Sequence, residues 1–160
     1  MRLLVTGGLG FIGSNFILNV LKNHDKFEII NIDDQLPGSN LENLVEVKDR
    51  RNYTYVKGNI TNSQLVESLV SQSDTIINFA AESHVDRSIS HARPFIDSNI
   101  VGAFTILEAV KKYDKKLIQI STDEVFGSLV DKSADEDHKL NPSSPYSSSK
   151  AAAELLANSY

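Results

Sequence analysis

The chain has 160 residues, 41% hydrophobic and 23% charged, with a formal net charge of −5. That length suits one domain with a real core, and the acidic balance without a basic run argues against nucleic acid as a partner. The absence of cysteine excludes disulfides and thiolate metal sites and fits a cytoplasmic protein, while no apolar run is long enough to span a membrane.

The chain opens on a strand, Arg2 to Thr6, followed by a glycine loop, not on a signal peptide. Gly10 to Asn23 carries Phe11, Ile12, Phe16, Ile17, Val20 and Leu21 at helical spacing. Phe27 to Ile32 predicts a second strand, and the turn-rich stretch from Asp34 to Asn43 leads into a short helical patch over Leu41 to Lys48. Tyr53 to Lys57 predicts strand three, Asn62 to Ser71 a helix capped at Thr61 or Asn62, and Thr75 to Phe79 strand four. Pro94 suits the first turn of a long helix reaching Tyr113. Lys116 to Ser121 predicts strand five, with Leu117 to Ile120 reading as buried in a parallel sheet. Ser128 to Ser144 is polar and reads as a loop, with Asp131 to Lys139 a solvated part of it, and a last helix runs from Pro145 to the end. This alternation predicts an α/β fold: a Rossmann-type doubly wound parallel sheet of order 3-2-1-4-5.

Between strand one and the first helix lies Thr6-Gly7-Gly8-Leu9-Gly10-Phe11-Ile12-Gly13. Gly7, Gly10 and Gly13 stand in the strand–loop–helix context that a dinucleotide fingerprint needs. Glycine allows the tight turn and lets backbone N–H groups approach a pyrophosphate, which the helix dipole also favours. Asp33 follows Gly13 by twenty positions, where a carboxylate accepts hydrogen bonds from an adenosine ribose diol. Asp33 and Asp34 together oppose a 2′-phosphate, so NAD is expected over NADP.

Tyr146 and Lys150 lie one helical turn apart on one face. A free tyrosine, with a pKa of about 10, is a poor base; a neighbouring ammonium favours its phenolate, so Tyr146 could take a hydroxyl proton as hydride leaves the same carbon. Thr122, at the end of strand five, is placed to share that hydroxyl. Asp123 and Glu124 follow it. Alcohol oxidation needs neither, whereas elimination of water needs an acid for the leaving hydroxyl and a base for a carbon-bound proton. His24, His91 and His138 share no metal-ligand spacing, so no metal is expected. His84 reads equally as a site contact and as a structural histidine, and Asp86 and Arg87 as a local pair holding a loop.

Taken together, Thr6 to Ser14, Asn78 to Ile89, Asn99 to Gly102, Ser121 to Gly127 and Pro142 to Ala151 resemble the N-terminal part of the dTDP-glucose 4,6-dehydratases, a family of extended short-chain dehydrogenase/reductases. The resemblance implies that Phe11 and Ile12 lie over the pyrophosphate and Asp33 on the adenosine ribose. It implies that Asn59 and Ile60 flank the adenine, and that Ala80, Ala81, Ser83 and Ser98 line the nicotinamide half with Tyr146 and Lys150. Ser83 and Thr122 would approach the hexose of a nucleotide sugar. Tyr146 would be the base for oxidation at C4 with Lys150 its partner, Asp123 the acid at the C6 hydroxyl and Glu124 the base at C5. Asn59 stands where the family commonly has Asp, and Asp34-Gln35-Leu36-Pro37 also departs from its pattern. The resemblance further implies a homodimer built on the Pro94–Tyr113 and Tyr146 helices, with Phe95, Ile96, Ile100, Phe104, Leu107 and Val110 exceeding one core-facing stripe. It makes residues 1–160 an NAD-binding Rossmann domain without the sugar-nucleotide-binding domain that follows it in the family. A 4,6-dehydratase is therefore expected; a related epimerase or decarboxylase, or a non-catalytic NAD-binding module, are the alternatives.

Overall fold

Apolar side chains divide between two layers because successive residues of a strand point to opposite faces. In β1 (Arg2–Thr6), Leu3 and Val5 enter one core cluster and Leu4 enters the other. Ile29 and Ile32 of β2 (Glu28–Asp33) divide in the same way, as do Ile77 and Ile76 of β4 (Thr75–Asn78). The first cluster is closed by α1 (Phe11–Asn23) through Ile17, Val20 and Leu21. The second is closed by α2 (Ser63–Ser71) through Val66, Leu69 and Val70, and by α5 (Ala103–Lys112) through Ile106 and Ala109. The computed structural model describes residues 1–129 and 133–160.

The sheet has five strands in the order β3-β2-β1-β4-β5, with β3 at Tyr53–Lys57 and β5 at Lys116–Gln119, and every pairing is parallel. This is the order expected from the sequence. The direction of winding reverses between β1 and β4, and a crevice opens there at the carboxyl ends of the strands. Thr6 stands opposite Ile32 and Asn78, and Asn78 opposite Gln119. A polar row crosses the sheet at this level: the Thr6 hydroxyl donates to Asn78 Oδ1 at 2.5 Å, and Asn78 Nδ2 donates to Gln119 Oε1 at 2.8 Å.

Several elements differ from the sequence reading. β2 runs from Glu28 to Asp33 and not from Phe27 to Ile32, β4 stops at Asn78, and β5 stops at Gln119. Among the described residues no strand lies beyond β5, and Ile118 is 51% exposed where the sequence predicts a buried strand. The patch after the turn is a 3-10 helix over Leu41–Leu44, capped by Asn40, and does not reach Lys48. A helix not foreseen, α3 (Val85–Ser90), contains Asp86 and Arg87. These two do not form an ion pair; the pairs among the described residues are Arg2–Glu28, Arg93–Asp97 and Lys112–Glu67. The long helix from Pro94 is composite: α4 (Arg93–Phe95), a π-helical segment over Ile96–Gly102, then α5. Asn62 is the cap of α2. The last helix, α6 (Pro145–Ser159), begins with a capping box in which Ser144 and Ser147 exchange side-chain-to-backbone hydrogen bonds, each 3.0 Å. Of the polar stretch from Asp131 to Lys139, Asp131 and Lys132 lie outside the described residues; residues 133–144 form neither helix nor strand. Among the described residues no helix is long and apolar enough to cross a membrane.

Candidate active site

The carboxyl ends of the strands border a cleft of about 420 Å³. Its floor is the glycine loop. Gly7 has φ of 67°, a left-handed conformation that favours glycine, and a Cβ there would lie 2.6 Å from the Ala80 nitrogen. Ala80 N–H in turn donates to the Thr6 hydroxyl at 3.2 Å, tying the start of the β4–α3 loop to β1. Gly10 caps α1 without a side-chain acceptor. The first-turn N–H groups of α1, from Phe11 to Gly13, therefore have no intrahelical partner, and these residues line the cleft with the helix dipole behind them. Phe11 and Ile12 are exposed at this mouth.

At one end of the cleft stands Asp33, 6% exposed, at the end of β2. Its Oδ2 accepts Leu9 N–H at 3.1 Å and its Oδ1 accepts Gln35 N–H at 2.8 Å. Each carboxylate oxygen has a second lone pair for a diol. Asp34 does not project freely: its Oδ2 accepts from Asn59 Nδ2 at 2.9 Å. Asn59 Oδ1 accepts the Thr61 N–H and hydroxyl at 2.9 and 2.8 Å. Asn59 in this chain thus binds a carboxylate that an aspartate at the same place would repel. Ile60 and the turn at residues 36–39 complete this wall.

The other end is lined by Ala80, Ala81, Ser83, Ser98, Tyr146 and Lys150. The structure therefore gathers into one cleft every residue that the sequence reading assigned to the dinucleotide: Gly7, Gly10, Phe11, Ile12, Gly13, Asp33, Asn59, Ile60 and these six. Tyr146 is 8% exposed and packs edge-on to Phe95 with ring centroids 6.3 Å apart. Lys150 is 5% exposed, and its Nζ donates to the Ile120 carbonyl at 2.5 Å. Burial pushes the Lys150 ammonium below the ordinary lysine range, and the Glu154 carboxylate one turn on opposes that shift. Glu154 also accepts from the Ser121 hydroxyl at 2.6 Å. Two bonds, Lys150 to Ile120 and Ser121 to Glu154, thus stitch α6 to the end of β5.

Thr122, Asp123 and Glu124 do not line the cleft; Ser121, just before them, does. They form a 3-10 turn, Asp123–Phe126, beyond its rim, with both carboxylates exposed. The Thr122 hydroxyl accepts the Glu124 backbone N–H and donates to Asp123 Oδ1, both at 3.3 Å. His84 is exposed at the start of α3 and lies outside the cleft wall. Among the described residues no group of His, Asp or Glu could hold a metal.

Asn99 is a positioning residue that the sequence reading did not assign. It is 3% exposed within the π-helical segment. It accepts Glu82 N–H at 2.8 Å and donates to the Glu82 carbonyl at 2.9 Å and to Ser149 Oγ at 2.8 Å. The β4–α3 loop is thereby clamped to α6 beside Tyr146. In the sequence Asn99 follows Asp97 and Ser98 directly, and nothing in its local spacing sets it apart from them.

Residues 4–160 match the family model described as GDP-mannose 4,6 dehydratase. The chain belongs to this family. The chain is similar to the low-salt glycan biosynthesis protein Agl12 of Haloferax volcanii, 46% identical over all of this chain and 52% of that protein's length. The dTDP-glucose 4,6-dehydratase of Mycolicibacterium smegmatis is 47% identical over all of this chain and 49% of its own length. The crystal structure of DesIV, the dTDP-glucose 4,6-dehydratase of Streptomyces venezuelae, solved with NAD bound, superposes with a TM-score of 0.96 at 40% identity, covering all of this chain and 51% of that one. The chain spans about half the length of the curated relatives it matches. This dehydratase family has the same parallel sheet, and the expected family resemblance is borne out.

Proposed function

We propose that this chain is the NAD-binding and proton-transferring half of a sugar-nucleotide 4,6-dehydratase, converting dTDP-glucose to dTDP-4-keto-6-deoxyglucose. The observation that carries the reading is one arrangement: Tyr146 and Lys150 in the cleft wall, and the Thr122-Asp123-Glu124 turn directly beyond Ser121 at its rim. Dehydratase relatives with NAD bound support it. The cleft suits a dinucleotide, with a diol acceptor at Asp33 and free N–H groups at the start of α1. Bound NAD would supply a hydride acceptor for C4 and later a hydride donor for C6.

The chain's own groups do the rest. Tyr146 takes the C4 hydroxyl proton, with the Lys150 ammonium stabilising the phenolate. Thr122 shares that hydroxyl, and Ser83 also approaches the hexose. A ketone at C4 acidifies the C5 hydrogen; Glu124 removes it while Asp123 protonates the departing C6 hydroxyl. Glu124 then returns a proton to C5. Asp33 and Asp34 disfavour a 2′-phosphate, so NAD is preferred to NADP. The protein acts in the cytoplasm as a homodimer, through the helix that runs from α4 to α5 together with α6; Ile96, Val101 and Phe104 are the apolar side chains this helix leaves exposed.

Mass analysis of the full-length protein's product from dTDP-glucose tests the activity. Loss of one water is expected. An isomer of unchanged mass would replace dehydration by epimerisation, and no reaction with NAD bound would leave a binding module.

A further inference from the structure

Gly8 lies outside the Gly7, Gly10, Gly13 spacing, yet it has no room for a side chain. A Cβ there would overlap the Asn31 carboxamide and lie 2.6 Å from Ile17 Cδ1. Asn31 is itself anomalous: a carboxamide with no exposed surface, set between Ile30 and Ile32 in the interior of β2. Its Oδ1 accepts Gly8 N–H at 3.1 Å, and its Nδ2 donates to the Tyr53 hydroxyl at 2.9 Å. Burial pushes the Tyr53 phenol upward from its ordinary value, so the hydroxyl stays protonated and neutral beneath the loop.

The neighbouring residues are held in the same manner. Leu9 N–H goes to Asp33, and the Leu9 carbonyl accepts from Asn43 Nδ2 at 2.9 Å and Asn40 N–H at 3.1 Å. Gly10 N–H goes to the Gly7 carbonyl at 3.2 Å. Every N–H from Gly8 to Gly10 is therefore committed inside the protein, and the first free donors are those of the α1 first turn.

We propose that Asn31, steadied by Tyr53, is a positioning residue for the dinucleotide diphosphate: it draws the Gly8 N–H away from the cleft and fixes the exit of the loop, so that the Phe11 and Ile12 N–H groups meet the anion already ordered. The proposal rests on the dinucleotide reading of the cleft. Its physical content is preorganisation, since a loop ordered before binding leaves less conformational entropy to lose on binding. The effect belongs to the diphosphate and not to the nucleoside, which Asp33 and the opposite wall hold.

The test compares NAD, ADP and adenosine on the full-length wild-type protein, Asn31→Ala and Tyr53→Phe, by calorimetry and ligand-observed NMR. Loss of one buried hydrogen bond predicts that Asn31→Ala weakens NAD and ADP by roughly tenfold or more, while adenosine changes by less than about twofold. Tyr53→Phe should follow the same order with a smaller loss. Unchanged NAD and ADP affinities would overturn the proposal, as would an equal loss for adenosine, which marks general loosening. If Asn31→Ala does not fold, hydrogen exchange at the Gly8 amide of the wild type decides: slow exchange is expected, and fast exchange overturns the assignment. Wild-type binding of ADP but not NAD would defeat the cofactor reading alone and leave the ADP-against-adenosine comparison to judge Asn31; binding of neither would defeat both.

Discussion

Lys150 is a charged group held where charge is costly. Desolvation lowers its pKa, so between that lowered value and the ordinary lysine value the unfolded chain binds more protons than the folded one. Stability therefore rises with pH across this window, and the cost of the buried ammonium is fully present below it. Lys150→Met is expected to raise the thermal midpoint at pH 7, at roughly 2–4 °C for each kcal/mol recovered, and the gain should vanish as pH approaches the ordinary lysine value. Activity should be lost in the same variant. Melting curves of both proteins from pH 7 to pH 10.5 check the trend. The two acids at the rim allow a second prediction. In the full-length protein Glu124→Gln should permit oxidation at C4 but not elimination, so reduced cofactor should accumulate on mixing with substrate; an absorbance trace at the nicotinamide band reads it. Product formation at the wild-type rate without that signal would sink the role of Glu124. At this scale the residues legible in the sequence were those whose chemistry shows in their local spacing: Gly7, Gly10, Gly13 and Asp33, and Tyr146 with Lys150. Asn31, Asn99 and the Thr6–Asn78–Gln119 row were not legible, because their partners lie far along the chain and a carboxamide carries no charge to advertise its task.

Among the elements, the sheet order was readable because apolar runs alternate with helical periods, while the ends of elements were not. Leu117-Ile118-Gln119-Ile120 is mostly apolar and reads as buried, yet exposed and buried strands can share that composition, and β5 here is only partly covered. The helix after Arg93 differs in a subtler way. Its apolar residues exceed one core-facing stripe. Part of the excess comes from the π-helical segment, whose wider turn shifts the phase of the core-facing side. Phe95 before it and Leu107 after it are both buried within the chain and do not belong to an outer face. Ile96, Val101 and Phe104 remain 40–45% exposed, and these are the residues left for a dimer. Phe104→Glu should convert the proposed full-length dimer to monomer, because a carboxylate at a buried apolar contact is costly. Sedimentation velocity at micromolar concentration distinguishes the outcomes, and a wild-type protein already monomeric there would dispose of the interface.

In the proposed function, one cleft joins an adenosine-binding end at Asp33 to a proton-transferring end at Tyr146 and Lys150. The curated relatives the chain matches are about twice as long, and the rim acids Asp123 and Glu124 stand exposed. Expressed alone, this 160-residue segment is expected to bind NAD weakly and to turn over dTDP-glucose at least about a hundredfold more slowly than the full-length protein, since misplaced reactants forfeit effective concentration. Comparable rates from the purified segment would show that the rest of the protein is dispensable.

The stitches described for the two ends also set an order of synthesis. The partners of the glycine loop are Asn31, Asp33, Asn40 and Asn43, with Tyr53 behind them. The stitches of α6 close only when Ser149, Lys150 and Glu154 reach Asn99, Ile120 and Ser121. Since chains emerge and fold from the N-terminus, a ribosome stalled before Ser149 holds every anchor of the glycine loop and no Lys150, so the nascent chain has the parts to grip a nucleotide well before it can react with anything.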